Sequence, residues 1–168
     1  MEKIDQNKVP KRKFYTGEEI PAVGLGTFGS DKYGPEAISE AVYGAIKFGY
    51  RLIDCAAVYQ NEAQIGQVLK RLFDEGVVER KDLFITSKVW NDMHEKVGES
   101  CRQSLKDLGL ETIDLFFVHW PFPNYLSPRQ QGFQGIRHIK RGTAVPPFYS
   151  CNGHKPFRLS ELSVAYNL

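Results

Sequence analysis

The feature that most constrains this chain is a rhythm. Between residues 23 and 118, short apolar runs alternate with longer stretches in which apolar residues recur every three or four positions. The runs fall at 23–27, 51–54, 83–88 and 113–118. They are continuously apolar rather than alternating, the pattern of strands buried on both faces. Between them, Ala37, Ile38, Ala41, Val42, Ala45 and Ile46 make a helical stripe behind Pro35, a residue tolerated in a first helical turn. A second helix is predicted over 61–74, with Asn61 as N-cap and Gly76 as stop, and a third over 95–108, closed by Gly109. Ahead of the rhythm, Thr16-Gly17 within 13–22 predicts a small hairpin. Strand–helix alternation of this regularity predicts right-handed βαβ units on a parallel sheet.

Composition bounds what the rhythm can belong to. With 168 residues, 42% hydrophobic and 25% charged, the chain has enough apolar content for a packed core and is not a disordered polymer. No apolar run approaches the ~20 residues of a membrane helix, and the polar opening residues do not read as a secretory signal. Three cysteines, Cys55, Cys101 and Cys151, lack metal-ligand spacing and read as reduced thiols of a cytoplasmic protein. The net charge of +2 is uneven: residues 1–121 carry −3 and residues 122–168 carry +5, with five of the nine prolines in the latter. The shift falls just after His119-Trp120-Pro121 and divides the chain into 1–121 and 122–168.

Four polar residues collect at the ends of the predicted strands. Asp54 ends the second, Lys88 the third and His119 the fourth, and Tyr59 lies in the loop after Asp54. In a parallel barrel such ends open on one face, where catalytic groups come from. Singly, each has a plainer reading: a turn aspartate, a solvated lysine, a packed histidine, a packed tyrosine. Their recurrence at successive strand ends favours a shared site.

The residues around these positions carry a resemblance. Gly49-Tyr50-Arg51-Leu52-Ile53-Asp54-Cys55-Ala56, then Glu62 and Ile65-Gly66, resembles the first signature of the aldo-keto reductases. Gly24-Leu25-Gly26-Thr27-Phe28, Ile85-Thr86-Ser87-Lys88-Val89-Trp90 and Phe117-Val118-His119-Trp120-Pro121 are similar to other N-terminal motifs of that family, in order. The resemblance covers about residues 13–122. It implies an α/β fold, an incomplete (β/α)8 barrel with an N-terminal hairpin, about four βα units and an irregular C-terminal tail.

The resemblance also implies NADP(H)-linked reduction of aldehydes or ketones to alcohols, with Asp54, Tyr59, Lys88 and His119 as the catalytic tetrad. Gly26, Thr27, Phe28 and Asp54 would lie at the cofactor, and Trp90 with His119 at the substrate pocket. The chemistry needs such residue types. A carbonyl oxygen gaining negative charge requires a proton donor, for which Tyr59 is the candidate. An adjacent ammonium favours a phenolate, and Lys88 supplies the ammonium while Asp54 holds it. His119 would donate a hydrogen bond to the carbonyl oxygen. No metal is called for.

Residues 122–168 depart from the family pattern. The Ser-Asn strand, the later tyrosine and the Lys/Arg segment that grips the adenosine phosphate are not found, so most of the NADP(H) site is missing from this sequence. Gly135-Ile136-Arg137-His138-Ile139 resembles, over five residues only, a run before the family's fifth strand. The expectation is a truncated or frame-altered reductase acting on a small carbonyl substrate; the alternative is a catalytically inactive barrel fragment. A half barrel exposes sheet edges, so self-association is expected, whereas nucleic-acid or membrane partners are not.

Overall fold

The computed structural model describes residues 4–5, 8–29 and 32–121, and the backbone of 148–152. A hairpin comes first. Strand β1 (Lys11–Lys13) pairs antiparallel with β2 (Glu19–Pro21), and Phe14 N–H donates to the Glu18 carbonyl to close the turn. Gly17 takes a φ of 98° there, as the Thr16-Gly17 pair predicts.

The main sheet has the order β3 (Leu25–Gly26), β4 (Leu52–Asp54), β5 (Phe84–Val89), β6 (Thr112–Val118) and β7 (Phe148–Asn152). The first four run parallel and are joined through helices α1 (Pro35–Phe48), α2 (Glu62–Asp74) and α3 (Val97–Leu108). This is the predicted set of βα units. All three helices pack on one face of the sheet. Val42, Ile46, Ile65, Leu69, Leu72 and Leu108 close over Ile53, Ile85, Val89, Ile113 and Phe116 in one buried cluster. Each such side chain contributes about 1.5–3 kcal/mol by leaving water.

Three local details differ from the sequence reading. Residues Asn91–Lys96 form a 3-10 segment, so the third helix begins at Val97 rather than at 95. Asn61 occupies the N-cap position of α2 but does not cap it; its Nδ2 donates instead to the Thr27 carbonyl, 2.9 Å away. Residues 148–152, within the stretch read as an irregular tail, form β7, which runs antiparallel along β6. The short run at 135–139 lies outside the described residues.

Cys55 is a buried free thiol. Cys101 is disulfide-bonded, which departs from the expectation of reduced thiols throughout. Among the described residues no helix is long and apolar enough to cross a membrane.

Candidate active site

The register of the parallel strands builds the site. Gly26 lies beside Asp54, Asp54 beside Thr86, and Lys88 beside Phe117. Alternation along β5 sends Thr86 and Lys88 to one face and the buried Ser87 to the other. Lys88 therefore reaches Asp54 across the strand pair. Its Nζ lies 2.8 Å from Asp54 Oδ1 and 2.9 Å from Oδ2, and it also donates to the Cys55 carbonyl at 2.7 Å. The third contact is to the Tyr59 hydroxyl, 3.3 Å away. An ammonium has three protons, and all three find oxygen.

Tyr59 comes from the loop after β4. A 3-10 turn over Ala57–Tyr59 ends at Gln60, the one non-glycine residue with positive φ, 56°, among those described. That left-handed residue costs energy and persists where the surroundings fix it. The turn buries the Tyr59 ring, and the Lys88 ammonium sits 5.0 Å from the ring centroid.

His119 follows β6, its N–H donating to the Val89 carbonyl. Its ring meets Tyr59 edge-on at 5.7 Å and Trp90 edge-on at 4.9 Å. Burial holds the His119 pKa below the usual histidine value, and the nearby Lys88 charge adds to this while Asp54 opposes it. The imidazole is thus neutral near pH 7, a hydrogen-bonding group rather than a cation. Its Nδ1 is buried without a partner.

The other predicted residues gather at the same strand ends. Thr27 donates to the Asp54 carbonyl through its hydroxyl at 3.0 Å and its amide at 3.1 Å. Phe28 packs edge-on against Tyr59 at 5.2 Å and stays 61% exposed. Asp54, Tyr59, Lys88, His119, Trp90, Thr27 and Phe28 thus share one locus, with Gly26 on the strand behind them. A cavity of about 790 Å³ lies elsewhere, at the opposite strand ends between the hairpin and residues such as Arg51, Phe84 and Asp114.

Sequence reasoning gave no role at the site to four residues that support it, Thr86, Ser87, Glu62 and Asn61. Thr86 donates to Asp54 Oδ1 at 2.6 Å, which leaves the carboxylate little freedom to turn from Lys88. Ser87 donates to Glu62 Oε1 at 2.6 Å on the helix side of the sheet. Glu62 is only 4% exposed, and its pKa is raised, chiefly by burial and against the Ser87 bond. Asn61, fully buried, ties the start of α2 to Thr27. The spacing of Thr86 two residues before Lys88 was the available signal, because strand parity puts both on the face of Asp54. Among the described residues no group of three His, Cys, Asp or Glu could hold a metal ion.

The architecture and this constellation define a member of a reductase family built on the (β/α)8 barrel. The sequence pattern of the Aldo/keto reductase family matches residues 22–141, and the chain belongs to that family. The match runs past the boundary drawn at residue 121. An aldose reductase of Encephalitozoon cuniculi is 52% identical over 111 residues, which are 66% of this chain and 36% of that protein. An NADP-dependent D-sorbitol-6-phosphate dehydrogenase of Malus domestica is 44% identical over 108 residues, 64% of this chain and 34% of that one. Among solved structures, a Bombyx mori aldo-keto reductase in complex with NADP superposes with a TM-score of 0.69 at 38% identity, covering 78% of this chain and 42% of that one. The chain therefore spans little more than a third of the length of the relatives it matches, and the described residues form the first part of the barrel.

Proposed function

We propose that this chain carries the proton-donating and orienting part of an NADP(H)-linked oxidoreductase that interconverts small aldehydes or ketones and alcohols. The observation that carries the reading is the placement of Lys88 Nζ between Asp54 and the Tyr59 hydroxyl. An ammonium there stabilises the phenolate left when Tyr59 gives up its proton to a carbonyl oxygen. Asp54, fixed by Thr86, keeps the ammonium in place. Neutral His119 supplies an N–H that orients the carbonyl and stabilises charge developing on its oxygen. Trp90, edge-on to His119, forms a wall of the substrate mouth.

The residues present fit the reacting end of a nicotinamide dinucleotide. Thr27 is locked onto β4 and Phe28 offers an exposed ring beside Tyr59. When bound, the dinucleotide supplies the hydride. Gly26, Thr27, Phe28 and Asp54 would hold that end, and the chain's own residues provide proton and orientation. The relatives' names support this choice of cofactor, one being called NADP-dependent and another solved with NADP.

The test uses the purified chain with NADPH. Quenching of cofactor fluorescence and aldehyde-dependent loss of its absorbance are expected. Tyr59→Phe should still quench but lose turnover by about 10²–10⁴-fold, the usual worth of a general acid. Absence of both quench and turnover in the parent chain would overturn the reading and leave the chain as a catalytically inactive barrel fragment.

A further inference from the structure

The sheet has two edges, and they are protected unequally. At one side stands β3, only two residues long, and a very short edge strand invites little pairing. At the other side the last of the parallel strands is β6, seven residues with the sequence Thr-Ile-Asp-Leu-Phe-Phe-Val, with the short β7 outside it. Such a strand, rich in β-branched and aromatic residues and nearly free of charge, pairs readily with another chain if left open. Its one charged residue does not guard the edge. The Asp114 carboxylate turns toward β5, accepting the Ile85 N–H at 2.7 Å and an Arg80 N–H at 2.7 Å.

What covers this edge is β7. Every other neighbouring pair in the sheet is parallel, as in a closed barrel, whereas β7 is antiparallel. It is held by two short ladders: Phe148 and Tyr149 opposite Phe117 and Phe116, then Cys151 and Asn152 opposite Ile113 and Thr112. Between them, from Ile113 to Phe116, the register slips, over the stretch where the Asp114 carboxylate reaches across to the Ile85 N–H of β5. Two ladders of two residues, broken by a bulge, make a weaker joint than the continuous pairing of β5 with β6 over Thr86–Val89. Residues 119–147 lie between the two strands, although Phe148 stands beside Phe117 and an antiparallel neighbour can be joined by a two-residue turn.

We propose that the outer edge of β6 is a strand-acceptor site, filled in cis by β7, and that release of β7 opens it to β6 of a second copy of this chain. Two copies then pair β6 to β6 antiparallel about a two-fold axis, which continues the sheet across the pair and satisfies both edges at once. The occupant on release is a second copy because the strand is self-complementary: Ile113, Leu115, Phe116, Phe117 and Val118 leave no like charges to oppose across the axis.

The experiment compares the full chain with Phe148→Pro/Tyr149→Pro, measured by light scattering in reducing buffer, which also opens the bond at Cys101. N–H direction alternates along a strand, so one of two consecutive prolines removes a ladder donor whichever parity holds. The parent is expected at the mass of one chain and the variant at about twice that mass at equal concentration. A peptide of sequence 148–152 in excess should return the variant to one chain. A variant that stays at one chain, or a parent already at two, overturns the proposal. Should the variant not fold, hydrogen exchange on the unmodified chain decides. The amides of β6 should exchange more slowly than solvent-exposed ones yet faster than those of β5. Exchange of all the β6 amides as slow as that of β5 overturns the weak joint, and exchange at solvent rates of those not bonded to β5 overturns the cover itself.

Discussion

At the scale of single residues, the arrangement around Lys88 depends on groups that do no chemistry themselves. Ser87 sits between Thr86 and Lys88 and fastens β5 to Glu62 from the other face of the sheet. Ser87→Ala would leave the buried Glu62 carboxyl short of a partner, and the expected loss is about 1–3 kcal/mol by denaturant unfolding. Glu62 also imposes a pH dependence. Its folded pKa is raised by burial, so the folded state holds a proton that the unfolded state gives up. That contribution is fully present below the unfolded glutamate value of about 4.3 and is lost as pH rises through the raised folded value. Midpoints measured across this range should fall in the parent relative to Glu62→Gln and then level off; parallel curves would mean that Glu62 titrates normally. None of this was visible in the sequence, where Glu62 counted only as part of a motif. Its burial depends on α3 packing across α2, a contact that spacing along the chain does not reveal.

At the scale of elements, most of the architecture was legible because each parallel strand and each helix carries its own period. The four apolar runs and the three stripes appear within a residue or two of where they were read. The failures have physical causes. The third helix starts late because Asn91 and Asp92 follow Trp90 into a 3-10 turn, with Met93 N–H on the Trp90 carbonyl. Asn61 looks like a cap by type and position, yet a strand end nearby offers a better acceptor at Thr27. β7 has no signal of its own, since its pairing partner is distant in sequence. Packing between elements yields one further prediction. A methyl on Gly66 of α2 would press onto the Asp107 carbonyl oxygen and come within 2.8 Å of the Leu108 carbonyl in α3. Gly66→Ala should therefore force the two helices apart, at about 1–3 kcal/mol. A melting temperature equal to the parent's would show that α3 can shift freely.

At the scale of the whole molecule, the helices cover one face of the sheet and the hairpin lies at one end. On the other face Leu52, Phe84 and Leu115 remain half-exposed. In a closed barrel that face is the packed interior. The folded chain should bind a hydrophobic dye such as ANS, and the signal should fall in step with unfolding. A native state dark to the dye would mean that this face is covered. The tetrad locus was legible from strand ends alone, because a parallel sheet brings like ends together; the tail's share in the sheet was not, because composition suggested a separate segment.

The reversed direction of β7 has a practical side. Its last residue, Asn152, stands opposite Thr112 at the start of β6, whereas Lys88 and His119 sit at the finishing ends of β5 and β6. Across a strand of seven residues these points are about 20 Å apart. The chain therefore leaves the sheet at the end remote from Tyr59. A label or short tether fixed at Asn152 itself would stand about a strand's length from the aromatic mouth and leave it open to solution.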